Sequence, residues 1–402
     1  MDKPLNIGYL IPQFPGQTHI FFWREIAAME TLGATVTLFS TRLPPKGLIS
    51  HDWSDLAIKR TEYLGRIQAL NILQGLVRLP WKDLRRDLKT EGRAFWKDLL
   101  ICVGPAVQLI RSCQQQGVTH VHVHSCGRAA LIAALANRMS GLSYSVTLHG
   151  PMSDYGIGQP FKWHNAAFAT IITQKLLDEA RVELGRDLPD TVRIQPMGVD
   201  IETLSRPEAY IPPAADGPIR IFSCGRLNIV KGHQDLLQAV RQLVDKGFDI
   251  QLEIAGEDDD GGNGYHQQLE ARLQELSLTH NARLLGAISA EEVKRKLLSA
   301  HIFALASWHE PLGVAYMEAM ACAVPTIGTD SGGVRELITD GETGLLVPPK
   351  NPAALADAIQ RIAGDAPLAK SLGDAGRALV VTKFRSGLGA ETILREIQAA
   401  QD

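Results

Sequence analysis

The sequence predicts an α/β fold made of two doubly wound, mostly parallel sheets, and three observations carry this prediction. At 402 residues the chain is long enough for its hydrophobic core to divide into two domains. Short apolar runs bounded by turn residues alternate with amphipathic stretches, a pattern typical of β-α-β units. The alternation stops after Asp200 at a proline-rich polar segment and then restarts. Two such sheets facing each other leave a cleft between the carboxyl ends of their strands.

The apolar runs predict five strands in each half of the chain, with amphipathic helical patterns between them. The first set comprises strands 5–11, 34–40, 120–124, 143–149 and 170–173 and helices 20–32 and 129–140. The second comprises strands 219–223, 249–255, 282–285, 301–306 and 326–328 and helices 234–245, 265–276, 291–300 and 314–322. We therefore predict a first domain at 1–204, a linker at 205–218, a second domain at 219–380, and a C-terminal helix at 381–402 that packs back on the first domain.

Composition excludes several classes of protein. A hydrophobic fraction of 45% and a charged fraction of 21% are ordinary for a soluble globular protein. A net charge of −3 gives no overall reason to expect a nucleic acid partner. The five cysteines are widely spaced without a C-x-x-C pair, which argues against a disulfide framework or a zinc site and suits a reducing cytosol. The N-terminus lacks the basic region of a signal peptide, and no apolar run is long enough to span a membrane, so we expect a cytoplasmic protein.

The most informative run extends from 307 to 328, where a strand ends, a tight loop turns at Pro311 and Gly313, and a helix begins. The first turn of a helix offers free backbone N–H groups and the positive end of the helix dipole, which together suit a diphosphate. Leu312, Gly313 and Val314 are therefore candidate binding residues for such an anion.

Two glutamates flank this helix start. Glu310 precedes the helix and Glu318 lies about five residues inside it, so the two carboxylates are predicted roughly 7–10 Å apart at 1.5 Å per residue. Carboxylates repel phosphate but accept hydrogen bonds from sugar hydroxyls. This spacing predicts that one glutamate holds a ribose and the other a second sugar.

Cations for the diphosphate are predicted in the loop that follows strand 219–223. Arg226 and Lys231 lie there, and an Arg fork with a Lys point charge stabilises developing negative charge on phosphate. Gly16, which follows the first strand, allows backbone to approach a phosphate closely. The chain has no G-x-G-x-x-G, so the dinucleotide fingerprint of dehydrogenases is absent.

These motifs resemble glycosyltransferase family 4, whose signature is a Glu, seven residues and a second Glu within E-A-M-A-x-G-x-P. Glu310 and Glu318 match this spacing, with Ala323 where the family usually has Gly. The similarity continues through 329–338 and 340–347, and Gly225-Arg226 to Lys231-Gly232 matches the family element G-R-x-x-x-x-K-G. The opening loop and helix, 14–32, resemble members acting in exopolysaccharide and colanic-acid-type synthesis, although Gln17-Thr18-His19 replaces the usual Ser-Glu-Thr.

The resemblance implies a GT-B architecture, two Rossmann-like domains facing across a cleft. It also implies retaining transfer of a hexose from a nucleotide diphosphate sugar to a glycan or lipid-linked acceptor, without a metal or other cofactor. Arg226 and Lys231 would stabilise the departing diphosphate, Glu318 would hold the ribose, and Glu310 would orient the transferred sugar together with His149, at the end of strand 143–149. No residue stands out as a covalent nucleophile, in agreement with the same-face mechanism usually proposed for this family.

Two other functional classes remain open at this point. A sugar-nucleotide epimerase or a phosphorylase of the same architecture would use similar anion sites. A non-catalytic sugar-nucleotide sensor would retain the binding residues and lack the transfer.

Two further clusters are predicted to have structural roles. His120, His122 and His124 alternate on one face of a strand, but their rings spread along about 13 Å without a nearby carboxylate, so a metal site is not favoured. His124 alone would reach the cleft. The acidic run 257–260 resembles the D-x-D metal motif of the other major glycosyltransferase fold and is predicted to be a solvated loop.

Residues 59–97 are locally basic, with ten Lys or Arg against four Asp or Glu, an excess of six positive charges. Trp81 and Trp96 occur among them, together with Leu70, Leu73 and Val77 at helical spacing. Two interpretations stay open for this segment. It is either a surface that lies on an anionic membrane, at the inner face if the acceptor is lipid-linked, or a solvated helical insertion.

Overall fold

The computed structural model describes residues 5–16, 19–44, 53–65, 69–79, 81–258 and 264–401, and the side chains of these residues except 82, 83 and 85–91. The chain forms two compact units, one of Met1–Met197 with Ser386–Asp402 and one of Gly198–Arg385. Each unit contains one parallel sheet with helices between successive strands. The predicted α/β class with two doubly wound parallel sheets is confirmed.

The described part of the first unit contains a seven-stranded sheet in the order β3-β2-β1-β4-β5-β6-β7. Its strands are β1 Asn6–Gln13, β2 Thr35–Arg42, β3 Thr61–Tyr63, β4 His120–Val123, β5 Ser143–Leu148, β6 Ala169–Ile171 and β7 Val192–Ile194. Its helices are α1 Ile20–Thr31, α2 Ser54–Arg60, α3 Ala69–Arg78, α4 Trp81–Gln116, α5 Arg128–Ser140, α6 Gln159–Trp163, α7 Gln174–Leu184 and the final helix α14 Ser386–Ala399. Helix α4 is interrupted at Gly92, whose backbone is not helical.

The described part of the second unit contains a six-stranded sheet in the order β10-β9-β8-β11-β12-β13. Its strands are β8 Ile219–Cys224, β9 Ile250–Ala255, β10 Ala282–Leu284, β11 Ile302–Ala304, β12 Thr326–Thr329 and β13 Leu345–Val347. Its helices are α8 His233–Asp245, α9 Tyr265–Glu275, α10 Ala290–Ser299, α11 Val314–Ala321, α12 Pro352–Gly364 and α13 Ala366–Lys383.

The chain end returns to the first unit as helix α14. Ala390, Ile393 and Ile397 are buried in the same apolar cluster as residues of β1, β2 and α1. Arg193 adds a polar contact, since its Nε donates to Glu396 Oε1 at 2.9 Å. The last helix of the chain therefore packs in the same core as the first strands and the first helix.

The segment 205–218, predicted as a linker, is instead part of the second unit. Arg206 donates from Nη1 to the carbonyl of Leu298 and from Nε to that of Cys322, both at 2.9 Å. Tyr210 donates from its hydroxyl to the carbonyl of His301 at 2.8 Å. These bonds satisfy carbonyls at helix and strand ends, so the proline-rich segment lies against the unit rather than between units.

Three strands of three residues each, β3, β7 and β13, were not predicted from the sequence. They are too short to show a clear period-two pattern, and each forms by pairing with one neighbour at the sheet edge. No helix among the described residues has both the length and the apolarity needed to cross a membrane.

Candidate active site

In the second unit, one loop was predicted to supply cations and another to supply a carboxylate. Both loops lie where the strand order of the sheet reverses. From β8 the sheet continues through β9 to one edge, and from β11 through β12 to the other. In open α/β sheets, ligands bind in the crevice outside the carboxyl ends of strands at such a switch point. The loop after β8 carries Arg226 and Lys231, and the loop after β11 carries Glu310. The switch point thus brings together residues that are far apart in sequence.

Lys231 and Glu310 form a direct ion pair. The Nζ of Lys231 lies 2.5 Å from Oε2 of Glu310, and the two side chains are 14% and 10% exposed. Partial burial strengthens the attraction relative to a fully solvated pair. The two residues were predicted separately, one as a phosphate cation and the other as a sugar-binding carboxylate, and the structure couples them.

The backbone of Glu310 is fixed by the turn that follows β12. Gly333 donates its N–H to the carbonyl of Glu310 at 3.0 Å. Gly332 adopts a φ of 68°, and a Cβ at this position would overlap the same carbonyl. A residue with a side chain would therefore be strained and would displace Glu310.

The residues before Glu310 are held from three directions. Trp308 donates its backbone N–H to the carbonyl of Val230 at 2.7 Å, next to Lys231. The hydroxyl of Ser331 donates to the carbonyl of Trp308 at 2.7 Å, and the indole N–H of Trp308 donates to Asp235 at 2.6 Å. The loops after β8, β11 and β12 are thus joined, which fixes the geometry of the ion pair.

Helix α11 begins at Val314, directly after the loop of Glu310. Gly313 precedes it with a φ of 97°, and within the described residues no side chain caps the helix. Leu312 is buried, whereas Gly313 and Val314 are partly exposed. The backbone N–H groups at the start of a helix are left without helical partners, so the predicted anion site at Leu312, Gly313 and Val314 stays a prediction.

The remaining predicted residues of the second unit differ in exposure. Arg226 is exposed in the loop after β8. Glu318 is partly exposed on α11, close to the end of β8, where burial and then the carboxylate of Glu318 raise the pKa of the Cys224 thiol to about 12.

Gly16 and His149 lie in the first unit, near its own switch point between β1 and β4. Gly16 follows β1 and is buried, and a Cβ there would overlap the imidazole of His19. His149 follows β5 and is partly exposed, with its ring centroid 6.2 Å from that of Phe21 and 5.7 Å from that of Phe22. Burial, followed by the neighbouring histidines, lowers the pKa of His149 well below its usual value, so its ring is neutral.

The alternating histidines of β4 bond to hydroxyl groups of β5. The ring nitrogens of His120 lie 2.9 and 2.7 Å from the hydroxyls of Ser143 and Ser145. Those of His122 lie 2.7 and 2.8 Å from Ser145 and Thr147. The predicted structural role of these two rings is confirmed, since their polar atoms are satisfied inside the core.

A functional candidate that the sequence analysis missed is Glu25 on α1. Glu25 is 2% exposed, and its carboxylate lies 3.1 Å from Nε2 of His124. The sequence contained a signal for Glu25, namely its position on the helix. It falls on the same helical face as the buried residues Phe22, Ile26 and Met29. A carboxylate on an apolar face needs a partner in the core.

The acidic run 257–260 was predicted to be a solvated loop, and one of its members has a structural role instead. Asp258 accepts a hydrogen bond from the backbone N–H of His266 at 2.8 Å, in the first turn of α9. This contact satisfies one of the backbone N–H groups that the first turn of a helix leaves without a helical partner. Asp259 and Asp260 lie outside the described residues.

The model of the family described as "Glycosyl transferases group 1" matches residues 209–379. These residues lie within the second unit and contain its ion pair and helix start. Over these residues the second unit is therefore similar to group 1 glycosyl transferases.

Comparison with individual proteins extends this similarity. D-inositol 3-phosphate glycosyltransferase of Corynebacterium jeikeium is 31% identical over 196 residues, which are 46% of this chain and 46% of that protein. The chain therefore aligns with about half the length of this relative.

Solved structures match nearly the whole chain. A glycosyltransferase from Rickettsia africae superposes with a TM-score of 0.75 at 18% identity, covering 100% of both chains. HepE from Anabaena, solved in complex with UDP-glucose, superposes with a TM-score of 0.74 at 15% identity, covering 98% of this chain and 100% of its own. At these identities the likeness shows a shared fold, that of GT-B glycosyltransferases.

Proposed function

We propose that the protein is a retaining glycosyltransferase that moves a hexose from a nucleotide diphosphate sugar to a glycan or lipid-linked acceptor. The Lys231–Glu310 pair carries the proposal, because it supplies a cation and a carboxylate beside the start of α11 at the switch point. The group 1 match of the second unit and the glycosyltransferase activities named for its relatives support it. The HepE complex with UDP-glucose supports a nucleotide sugar as donor.

The second unit would hold the diphosphate without a metal. Arg226, Lys231 and the backbone around Leu312, Gly313 and Val314 supply hydrogen-bond donors and positive charge. A Lys ammonium has three donors, so Lys231 can bind a phosphate oxygen while it keeps its contact with Glu310. The same contact orients the carboxylate of Glu310, which then accepts from a hydroxyl of the transferred sugar.

The other predicted site residues have roles in binding the donor. Glu318 accepts from the ribose hydroxyls, His149 helps to orient the transferred sugar, and Gly16 permits close approach of backbone to phosphate. The bond from the anomeric carbon to the diphosphate breaks, and the acceptor oxygen bonds to that carbon on the same face. The departing diphosphate oxygen takes the proton of the acceptor hydroxyl. We place this reaction in the cytoplasm, in the synthesis of exopolysaccharide or another cell-surface polysaccharide, with the acceptor held by the first unit.

The proposal is tested with UDP-, GDP- and ADP-hexoses, by thermal stabilisation and by release of nucleotide with and without an acceptor-lipid extract. We expect one donor class to respond, and Lys231→Ala and Glu310→Gln to lower its turnover by about 100-fold or more. Lys246→Ala is the matched control, because Lys246 is an exposed residue of the same unit that pairs with Asp357.

The outcomes separate the rival functions. Epimerised donor without transfer would favour a sugar-nucleotide epimerase. Tight nucleotide binding with no turnover, unchanged by Glu310→Gln, would favour a sensor. Absence of any response from the three donor classes would contradict the proposal.

We also propose that the basic segment 59–97 lies on an anionic membrane, at the inner face, where a lipid-linked acceptor would be presented. Leu70, Leu73 and Val77 are 63%, 62% and 80% exposed on α3. Their spacing of three and four residues places them on one face of the helix. Apolar side chains on one face of a helix in a basic segment favour adsorption to anionic lipid.

Vesicle sedimentation tests this surface, using vesicles with and without anionic lipid. Replacing Leu73 and Val77 together by Asp is expected to weaken binding at least about tenfold, because two apolar side chains no longer enter the lipid. Val182→Asp is the matched control, since Val182 is an apolar residue of the first unit that is 89% exposed on α7. If the wild-type protein binds neither vesicle, the segment is a solvated insertion.

A further inference from the structure

A line of polar contacts runs through the first unit to His149. The hydroxyl of Tyr9 on β1 donates to Oε2 of Glu25 on α1 at 2.6 Å. Nε2 of His124, the residue after β4, lies 3.1 Å from the same oxygen, at an angle less favourable than that of a well-aligned hydrogen bond. Nδ1 of His124 lies 3.1 Å from Nε2 of His149. We refer to Tyr9, Glu25, His124 and His149 as the buried array.

The position of Glu25 requires a compensating charge. Tyr9, Glu25 and His124 are at most 2% exposed, and an isolated carboxylate at such a depth is costly. Tyr9 retains its proton, because burial and then Glu25 raise its pKa well above the usual value. His122, the next histidine on β4, bonds to two hydroxyls, and burial lowers its pKa well below the usual value, so it stays neutral. The imidazole of His124 is the basic group that contacts the carboxylate.

We infer that Glu25 and His124 form a buried ion pair that positions His149 and selects its tautomer. In this arrangement the protonated Nδ1 of His124 donates to Nε2 of His149, so the proton of the neutral His149 ring is on Nδ1. The hydrogen bond made by one imidazole nitrogen sets the protonation of the other. The inference rests on the proposed function, because it gives His149 an N–H donor for a hydroxyl oxygen of the transferred sugar.

The surroundings of His149 agree with this assignment. Among the described residues, its hydrogen bonding engages Nε2 and leaves Nδ1 open, and the ring is partly exposed at the carboxyl end of β5. The rings of Phe21 and Phe22 lie beside the imidazole of His149. Glu25 and His124 are thus positioning residues that act through His149.

Helix α14 closes the array on its other side. Gly389 lies against α1, and a Cβ at this position would overlap Oε1 of Glu25. Gly389→Ala therefore displaces the carboxylate without removing any group of the array. This variant separates the position of Glu25 from its chemical identity.

The direct test is ¹⁵N NMR of the histidine rings in the full chain, near pH 7.5 and without substrate. We expect both ring nitrogens of His124 to be protonated, and His149 to carry its proton on Nδ1. A neutral His124, or a proton on Nε2 of His149, would overturn the inference. This readout on the wild-type protein needs no variant to fold.

Glu25→Gln removes the charge, so we expect His124 to lose its imidazolium signature and kcat with UDP-glucose to fall about tenfold while KM changes less than about twofold. Gly389→Ala should shift the same signals in the same direction. Ser143→Ala is the matched control, because it removes a hydroxyl from His120 at the opposite end of the histidine row and should leave His149 unchanged.

Two results would distinguish a failure of the role proposed for His149 from a failure of the positioning role of Glu25. If His149→Ala keeps full kcat while the wild-type tautomers are as expected, the role proposed for His149 in transfer is wrong and the ion pair stands as a structural feature. If His149→Ala loses activity while Glu25→Gln keeps both kcat and the imidazolium of His124, the positioning role is wrong and the proposed function stands.

Discussion

The two units place their polar residues at equivalent positions, beside the switch point of a parallel sheet, but stabilise them by different means. In the second unit the charged pair Lys231–Glu310 sits in loops, with Lys231 partly exposed and Glu310 buried, and is held by backbone hydrogen bonds and glycine turns. In the first unit Glu25 and His124 are buried and held by side chains of a helix and neighbouring strands. In the roles proposed above, the pair that meets a ligand is the more exposed of the two, and the pair that orients another side chain is fully enclosed.

This difference also decides how each site responds to substitution and to a change of pH. Loops fixed by backbone contacts are sensitive to any added Cβ at the glycines that approach them, and the fold around them persists. A core fixed by buried polar side chains is sensitive to protonation, because each neutral ring is part of the packing. Three predictions test this contrast, beginning with the largest effect.

Gly332→Val should have the largest effect. The valine would need a φ of 68° and would overlap the carbonyl of Glu310, moving the carboxylate away from Lys231. A displacement of about 1 Å at a substrate-positioning group costs about 100-fold in kcat. Steady-state kinetics with the responding donor measures this loss, and Gly364→Ala, where an added Cβ meets nothing, is the control. Wild-type kinetics in Gly332→Val would show that the Glu310 backbone tolerates movement.

His120→Asn should change the acid stability of the first unit. Burial lowers the pKa of His120 to about 3 in the folded protein, whereas an unfolded histidine has a pKa of about 6.5. The contribution of the neutral ring is complete above about pH 6.5 and is lost as the pH falls, since only the unfolded state binds the proton. At about pH 5 this amounts to about 1–2 kcal/mol.

Urea unfolding of the wild type and His120→Asn at about pH 7.5 and pH 5 measures this difference. The free energy of unfolding should fall less between the two pH values in the variant, because Asn can bond to the same hydroxyls without titrating. An equal fall in both proteins would mean that His120 does not contribute to acid sensitivity.

Ser331→Ala should have the smallest effect. It removes one hydrogen bond to the carbonyl of Trp308, while the contact of Trp308 with Val230 remains. A single hydrogen bond of this kind contributes about 1 kcal/mol, so we expect kcat to fall about threefold to fivefold. Ser299→Ala, which removes an exposed hydroxyl bond on α10, should leave kcat unchanged. A loss as large as that of Gly332→Val would place the hydroxyl itself in contact with substrate.

Much of the fold was predictable from the sequence because its longer elements have strong local patterns. The predicted strand at 219–223 corresponds to β8 and the predicted helix at 314–322 to α11, each within one residue at either end. The short strand β13 was missed because three residues do not display a period. The segment 205–218 was interpreted as a linker from its prolines, and only its bonds to carbonyls of the second unit reveal where it lies.

The residues of the candidate sites also differ in whether the sequence reveals them. Glu310, Gly313 and Glu318 stand within one turn and one helix, so their chemistry is visible as a local motif. Glu25 and His124 are separated by about a hundred residues and are joined only when α1 packs beside β4. A sequence shows that a buried carboxylate needs a partner, and the packed structure shows which partner it has.

By itself, the sequence determined that this chain forms two parallel α/β sheets, and it predicted a loop and helix start suited to a diphosphate in the second of them. Hydrophobic periodicity and backbone turn chemistry are local properties, and they are sufficient for these conclusions. Only the tertiary structure decided that Lys231 pairs with Glu310, that α14 returns to the first unit, and that Glu25 reaches His149 through His124. These contacts depend on which strand ends meet in the sheet, and strand order is set by the packing of the whole unit.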